Sequence, residues 1–327
     1  MKAILIKHFG GAEQLQVGNV SLPCIHEHHV KVKIQAAGIN PSDVYTATGT
    51  YAVKPNLPYT PGNDGAGIVV EVGADVKNVQ VGDRVFVVGG KSKVFTGTMA
   101  AEMVCEATAV HPLPEHISFE QGAGLGIPAL TAYRALVDRA QVKAGQTVFI
   151  HGASGAVGLI AVQMAKHLGA TVIGTASREE GKALVKAAGA DIVLDHITEE
   201  TIASVLDVTN GEGPDVIIEF LANVNLQADL MLVKKRGVIV VIGNRGDITI
   251  NPRLMMQKEC DVRGMVLWNM TQDEYEAVTS GVTTMLQQQA FVPIVRQAFP
   301  FEEASAAFQE VIDGTGNGKV VVRMDGL

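Results

Sequence analysis

The sequence predicts an α/β protein in which a β-rich domain is joined to a doubly wound parallel sheet. Short β-branched runs broken by Pro and Gly clusters fill its first part, strands and helices alternate from Thr147 onward, and a glycine-rich turn opens that alternation.

The early runs are Val30–Ala37, Gly67–Val72, Arg84–Val88 and Ala101–Cys105. Loops are expected between them at Pro41-Ser42, Pro55-Asn56, Pro58, Pro61-Gly62 and Gly89-Gly90, because Pro lacks a donor and Gly tolerates positive φ. The texture changes at Pro112-Leu113-Pro114. Ser118-Phe119-Glu120-Gln121 then reads as a capping box, and helices begin. From Thr147 the order is TVFIHG, a helix through Ala161 to Leu168, TVIGTA, a helix about Lys182 to Ala188, DIVLDH, PDVIIEF, GVIVVIG and DVRGMVLW. Continuous apolar runs of this kind are what parallel strands buried on both faces require. After Met270 come a helix over Gln272–Gln289, Phe299-Pro300, a second short helix and a strand over Lys319–Arg323. This tail is too short to bury a core of its own, so it is expected to return to the first domain. The expected boundaries are 1–118 with 270–327 for the β-rich domain and 119–269 for the doubly wound one.

Composition narrows the function classes. The chain has 327 residues, 26 Lys and Arg against 34 Asp and Glu, and a formal net charge of −8, a poor match to a phosphate backbone. Its three cysteines, Cys24, Cys105 and Cys260, are too sparse for a disulfide framework and suit a reducing compartment, so a cytoplasmic location is expected. No apolar stretch reaches the roughly 20 residues of a membrane span.

Chemistry is written most clearly at Gly152-Ala153-Ser154-Gly155-Ala156-Val157-Gly158, between a strand and a helix. Glycines there allow a tight turn, close backbone approach to a pyrophosphate and close helix–strand contact, and the helix N-terminus offers free N–H groups to an anion. Gly152, Ser154, Gly155, Ala156, Val157 and Gly158 are therefore candidate dinucleotide contacts. The next strand ends in Thr175-Ala176-Ser177-Arg178, with no acid before Glu179. A ribose-binding carboxylate is missing, and Ser177 and Arg178 suit a 2′-phosphate, which points to NADPH; Arg178 as a solvated helix-start residue is the alternative. His196 is a candidate adenine contact or an ordinary surface residue. Gly243 and Asn244 follow the fifth strand, where ligands of parallel sheets sit.

These residues resemble the medium-chain dehydrogenase/reductase superfamily, and within it the zeta-crystallin-like NADPH:quinone oxidoreductases. The resemblance runs nearly end to end through AAGINPSDVYTATGTY, LPYTPGNDGAG, VGDRVF, GIPALTAYRAL, VKAGQTVFIHGASGAVG, IIEFLANVNL and NGKVVV. It implies a GroES-like catalytic domain split around a Rossmann domain, with NADPH in the cleft and quinones as acceptors. The near alternative is reduction of α,β-unsaturated carbonyls; a non-catalytic RNA-binding or crystallin-type role is the alternative of another class. It also implies a homodimer or homotetramer, with Asp261–Trp268 as a candidate pairing edge.

The superfamily's zinc alcohol dehydrogenases carry Cys in the loop equivalent to GINPSD and His-Glu in the loop equivalent to PGNDGAG. Here those slots hold Asn40, Asn63 and Asp64, the structural zinc lobe is replaced by the short loop 89–93, and no metal is expected. His26-Glu27-His28-His29 reads as an exposed loop. The resemblance places Asn40, Asp43, Tyr45 and Tyr51 near nicotinamide and acceptor as the catalytic candidates, while Asn40 as a chain turn, Asp43 as a helix cap and the tyrosines as packing remain open. It adds Asn40, Thr131 and Lys319 to the cofactor set, Lys319 as a phosphate contact or else a solvated strand start.

Overall fold

The computed structural model describes every residue except 53, 90, 91, 197, 198, 315 and 316, and of residue 199 the backbone alone. In chain order, β1 (Lys2–Ile6), β2 (Leu15–Asn19) and β3 (His29–Ile39) are followed by α1 (Pro41–Ala47). Next come β4 (Asp64–Val72), β5 (Arg84–Val88), β6 (Glu102–Glu106), β7 (Val110–Pro112), α2 (Phe119–Gly122) and α3 (Gly126–Tyr133). Regular alternation then runs through β8 (Thr147–Ile150), α4 (Ala156–His167), β9 (Thr171–Thr175), α5 (Glu179–Ala187), β10 (Ile192–Leu194) and α6 (Glu199–Val208). It continues through β11 (Val216–Glu219), α7 (Ala222–Leu232), β12 (Val238–Val241), α8 (Pro252–Lys258), β13 (Asp261–Gly264) and α9 (Gln272–Gln287). The chain closes with β14 (Val295–Pro300), α10 (Ala304–Ile312) and β15 (Lys319–Arg323).

Two compact units result: Met1–Pro128 with Val292–Leu327, and Ala129–Phe291. In the first, a seven-stranded sheet has the path β14-β15-β3-β4-β5-β7, with β6 also paired to β3. Strand β3 shows why this face forms. Val30, Val32 and Ile34 are buried while Lys31 and Lys33 point away, the period of two that a half-buried strand requires. Its core gathers Val30, Val32, Val69, Val85, Met103, Phe301 and Phe308. The returning tail supplies β15, antiparallel to β3, with Val322 opposite Ala37.

In the second unit six parallel strands take the order β10-β9-β8-β11-β12-β13. The order reverses between β8 and β11, the switch point of a doubly wound sheet. β11 is buried along its whole length. Phe149, Ile173, Ile217, Leu230 and Ile239 form the core.

Both expected boundaries move. Ser118 and Gln121 do form the capping box, Ser118 N–H donating to Gln121 Oε1 at 2.9 Å and Gln121 N–H to Ser118 Oγ at 3.2 Å. The helix they start packs on the first unit, where Gly122 lies so close to Ala66 and Leu113 that a Cβ would meet them at 2.7 and 2.9 Å. At the other end α9 belongs to the second unit: Gly281 leaves room for the Tyr133 ring, and Arg134 pairs with Glu274 at 3.7 Å. The strand expected over Asp261–Trp268 ends at Gly264, and a single 3-10 turn covers Leu267–Asn269.

Candidate active site

The turn after β8 is built for close approach. Gly152 has φ +50°, in the left-handed region, and its N–H donates to Thr175 Oγ1 at 3.0 Å, tying the turn to the end of β9. A Cβ on Gly158 would meet the Ala153 backbone at 2.7 Å, so only glycine lets α4 start against the strand. Around Gly152 the space is open. Gly155 caps the twelve-residue α4 without a side-chain hydrogen bond, which leaves the first-turn N–H groups for an anion. Beyond β9, Ser177 and Arg178 are exposed, with Arg178 as the N-cap of α5. The residues present fit a phosphorylated dinucleotide.

In the first unit, a network of buried polar side chains forms where β3 meets α1, β4 and β15. Asn40, Asp43, Asp64 and Lys319 are all buried, Lys319 with only 2% exposure. The Lys319 ammonium donates to Asn40 Oδ1 at 2.6 Å and to Asp64 Oδ2 at 3.0 Å. Asn40 Nδ2 donates to Asp64 Oδ2 at 2.8 Å and to Asp43 Oδ2 at 3.2 Å. Asp43 Oδ1 accepts from Asn63 Nδ2 at 2.7 Å, and Asp64 Oδ1 from Ile127 N–H at 2.8 Å. Gly38 makes room for this arrangement, since a Cβ there would meet Lys319 Cε at 2.7 Å. Burial, and secondarily the charge of Asp64, pushes the Asp43 carboxyl up to about 6.

Family comparisons agree with both halves. Residues 26–115 match the alcohol dehydrogenase GroES-like domain, and residues 156–283 match a family described as zinc-binding dehydrogenase. A Homo sapiens quinone oxidoreductase is 39% identical over 98% of this chain and 97% of its own. A Mus musculus one is 41% identical with the same coverage. The chain belongs to the quinone oxidoreductases of the medium-chain dehydrogenase/reductase superfamily. An Escherichia coli quinone oxidoreductase solved with NADPH superposes with a TM-score of 0.87 at 28% identity, over 99% of this chain and 100% of the other.

In this quinone oxidoreductase the candidate residues fall into separate groups. Asn40, Asp43 and Lys319 come together in one network. Asn40 both turns the chain and shares its amide, and Asp43 does cap α1, its Oδ2 accepting from Asn40 N–H at 2.8 Å. Lys319 is no solvated strand start: it is buried, and its ammonium donates to Asn40 and Asp64. Tyr45 is exposed and Tyr51 half-buried, joined through the Tyr45 carbonyl, which accepts from Tyr51 N–H at 3.0 Å. In the other unit Thr131 is buried in α3. His196 is exposed after β10, its carbonyl accepting from Thr201 Oγ1 at 3.0 Å. Gly243 lies against the Phe220 carbonyl, where a Cβ would come within 2.2 Å, and Asn244 is exposed, its Nδ2 donating to the Gly246 carbonyl at 2.7 Å.

The family's zinc does not fit this network. Zinc prefers thiolate, imidazole and carboxylate, whereas the side chains here are two amides, two carboxylates and an ammonium already bound to Asp64. A divalent ion beside that ammonium would meet like-charge repulsion. In the loop 89–93, residues 90 and 91 lie outside the described residues. The histidine cluster is a surface feature, but Glu27 and His28 are joined there by Asp75, with ligand atoms within 4.8 Å of one another.

Sequence reasoning missed two features. Tyr59 Oη is buried with no hydrogen-bond partner among the described residues, and burial, then the Asp43 charge, pushes its phenol up. His151, Glu219 and Asp229 form a buried trio in the second unit. The acid that interrupts the apolar run VIIEF was the visible sign of it.

Proposed function

We propose that this chain reduces quinones with NADPH and needs no zinc to do so. The observation that carries the reading is the Lys319 ammonium seated on Asp64 and Asn40. It is a fixed cation between loops in which the superfamily's zinc enzymes carry metal ligands. Without Lewis-acid activation the acceptor must be electron-poor in itself, which quinones are. NADPH supplies the reducing equivalents when bound. In this reading the α4 N-terminus takes the pyrophosphate, and Ser177 and Arg178 take the 2′-phosphate. Asn40, Tyr45 and Tyr51 orient the acceptor and donate hydrogen bonds to the negative charge that develops on its oxygen.

The same reading puts the enzyme in the cytoplasm, supported by three free cysteines, Cys24 exposed and Cys105 and Cys260 buried. No helix among the described residues is long and apolar enough to cross a membrane. A homo-oligomer paired through β13, at one end of its sheet, belongs to the reading as well.

The test is NADPH oxidation with a panel of quinones and enals, on protein dialysed against a chelator and assayed for metal. Turnover with quinones at substoichiometric zinc is expected. Stoichiometric zinc whose removal abolishes turnover, or turnover with enals alone, would overturn the reading.

A further inference from the structure

Beside the glycine turn the second unit buries three ionisable groups that the proposed quinone reduction leaves unused. His151 follows β8, Glu219 ends β11, and Asp229 lies on α7, one turn after Asn225. β8 and β11 are the strands between which the sheet order reverses. His151 Nε2 stands 2.7 Å from Asp229 Oδ1 and 3.3 Å from Glu219 Oε2. Glu219 Oε1 accepts from the Leu221 N–H and from Asn225 Nδ2. Glu219 Oε2 and Asp229 Oδ2 are buried with no hydrogen-bond partner among the described residues.

Backbone bonds bring three strand-end loops to the same point. His151 N–H donates to the Ile218 carbonyl at 3.1 Å, and Ile242 N–H to the Glu219 carbonyl at 2.8 Å. Gly243 then rests on Phe220. These loops come after β8, β11 and β12, at the carboxyl ends where such sheets hold ligands.

Glu219 and Asp229 offer carboxylate oxygens within 4.8 Å of each other, and two carboxylates in one dry pocket cannot both ionise cheaply, so a single proton on the pair offsets the second charge. His151 then donates its Nε2–H to Asp229. Burial pushes Glu219 up to about 7 and Asp229 up to about 7, and pushes His151 down, which keeps the imidazole neutral. A metal is the poorer occupant, because the 2.7 Å contact has hydrogen-bond length, whereas ligand atoms around tetrahedral zinc stand about 3.3 Å apart.

We propose that Glu219 is a positioning residue for the dinucleotide: the proton it shares with Asp229 beside His151 holds the three loops in place and keeps a second buried negative charge away from the pyrophosphate turn. The inference rests on NADPH occupying that turn. Losing the proton places two anions behind the phosphate site and loosens the loops, so affinity falls as pH rises. His196 also senses the trio: its imidazole is lowered first by burial and then by His151.

The experiment is the Kd of NADPH, from cofactor fluorescence, between about pH 6.5 and about pH 9 for wild type, Glu219→Gln, Asp229→Asn and His196→Asn. Wild type is expected to weaken by roughly tenfold, within the limit of tenfold per pH unit for one linked proton. Glu219→Gln keeps a neutral donor and acceptor in place, so it holds the low-pH affinity throughout. Asp229→Asn does the same by the other partner, and His196→Asn keeps the wild-type slope. Ionisation of the 2′-phosphate is common to all four proteins and cancels in their ratios. A wild type that binds without slope, or Gln and Asn variants that retain it, overturns the inference. A wild type that fails to bind NADPH at any pH overturns the functional reading instead, and the inference with it.

Discussion

Replacing Lys319 with methionine tests whether the buried ammonium organises the first unit. Its Nζ lies 2.6 Å from Asn40 Oδ1 and 3.0 Å from Asp64 Oδ2, and Asp64 is fully buried. Methionine conserves volume but removes the charge, leaving the Asp64 carboxylate with two neutral donors, Asn40 Nδ2 and Ile127 N–H, each at 2.8 Å. Breaking a buried ion pair on one side costs about 3–5 kcal/mol, and the two remaining donors place this case near about 3 kcal/mol. Removing both charges, as in Lys319→Met with Asp64→Asn, should recover more than half of that loss, because no uncompensated charge stays inside. Urea unfolding monitored by circular dichroism, with the two units fitted as separate transitions, reads the difference. A loss below about 1 kcal/mol for the single variant, or a double variant no more stable than the single one, would refute the reasoning.

Three further outcomes are expected. Because burial and the Asp64 charge raise Asp43 to about 6, the folded state binds that proton more tightly than the unfolded chain does. Its contribution to stability is therefore gained as pH falls through about 6 and is complete near the ordinary carboxylate range, roughly 3 kcal/mol in all. Asp43→Asn should remove that slope, and an unchanged slope in pH-dependent unfolding would count against the assignment. Arg178→Ala should weaken NADPH by roughly 10- to 150-fold while sparing NADH, as the loss of one charge-assisted hydrogen bond implies; titration calorimetry showing equal losses would put the phosphate elsewhere. Tyr51→Phe should lower turnover with enals more than with quinones at unchanged NADPH affinity, and no change with either acceptor would leave Tyr51 a packing residue.

Much of the fold was legible because it depends on local pattern. The apolar runs TVFI, TVIGT and VIIE became β8, β9 and β11, and the glycine turn stands between β8 and α4 where its spacing put it. The strands Arg84–Val88 and Lys319–Arg323 carry the limits expected of them. The domain limits were not legible, because a capping box marks where a helix starts and says nothing about which sheet its apolar face covers. The role of Lys319 was hidden for a similar reason: 279 residues separate it from Asn40, and only the pairing of β15 with β3 brings them together.

By itself, then, the sequence determined the features that near neighbours dictate: strand and helix periods, the glycine turn before α4, Ser177 and Arg178 with no acid before Glu179, and the amides of Asn40 and Asn63. Only the tertiary structure decided which charges share a pocket. Asp64 with Lys319, and Glu219 with Asp229 and His151, are distant along the chain, and their ionisation depends on burial and on partners within hydrogen-bond reach. Both are properties of packing, because desolvation and Coulomb energy depend on separation in space and not on separation in sequence.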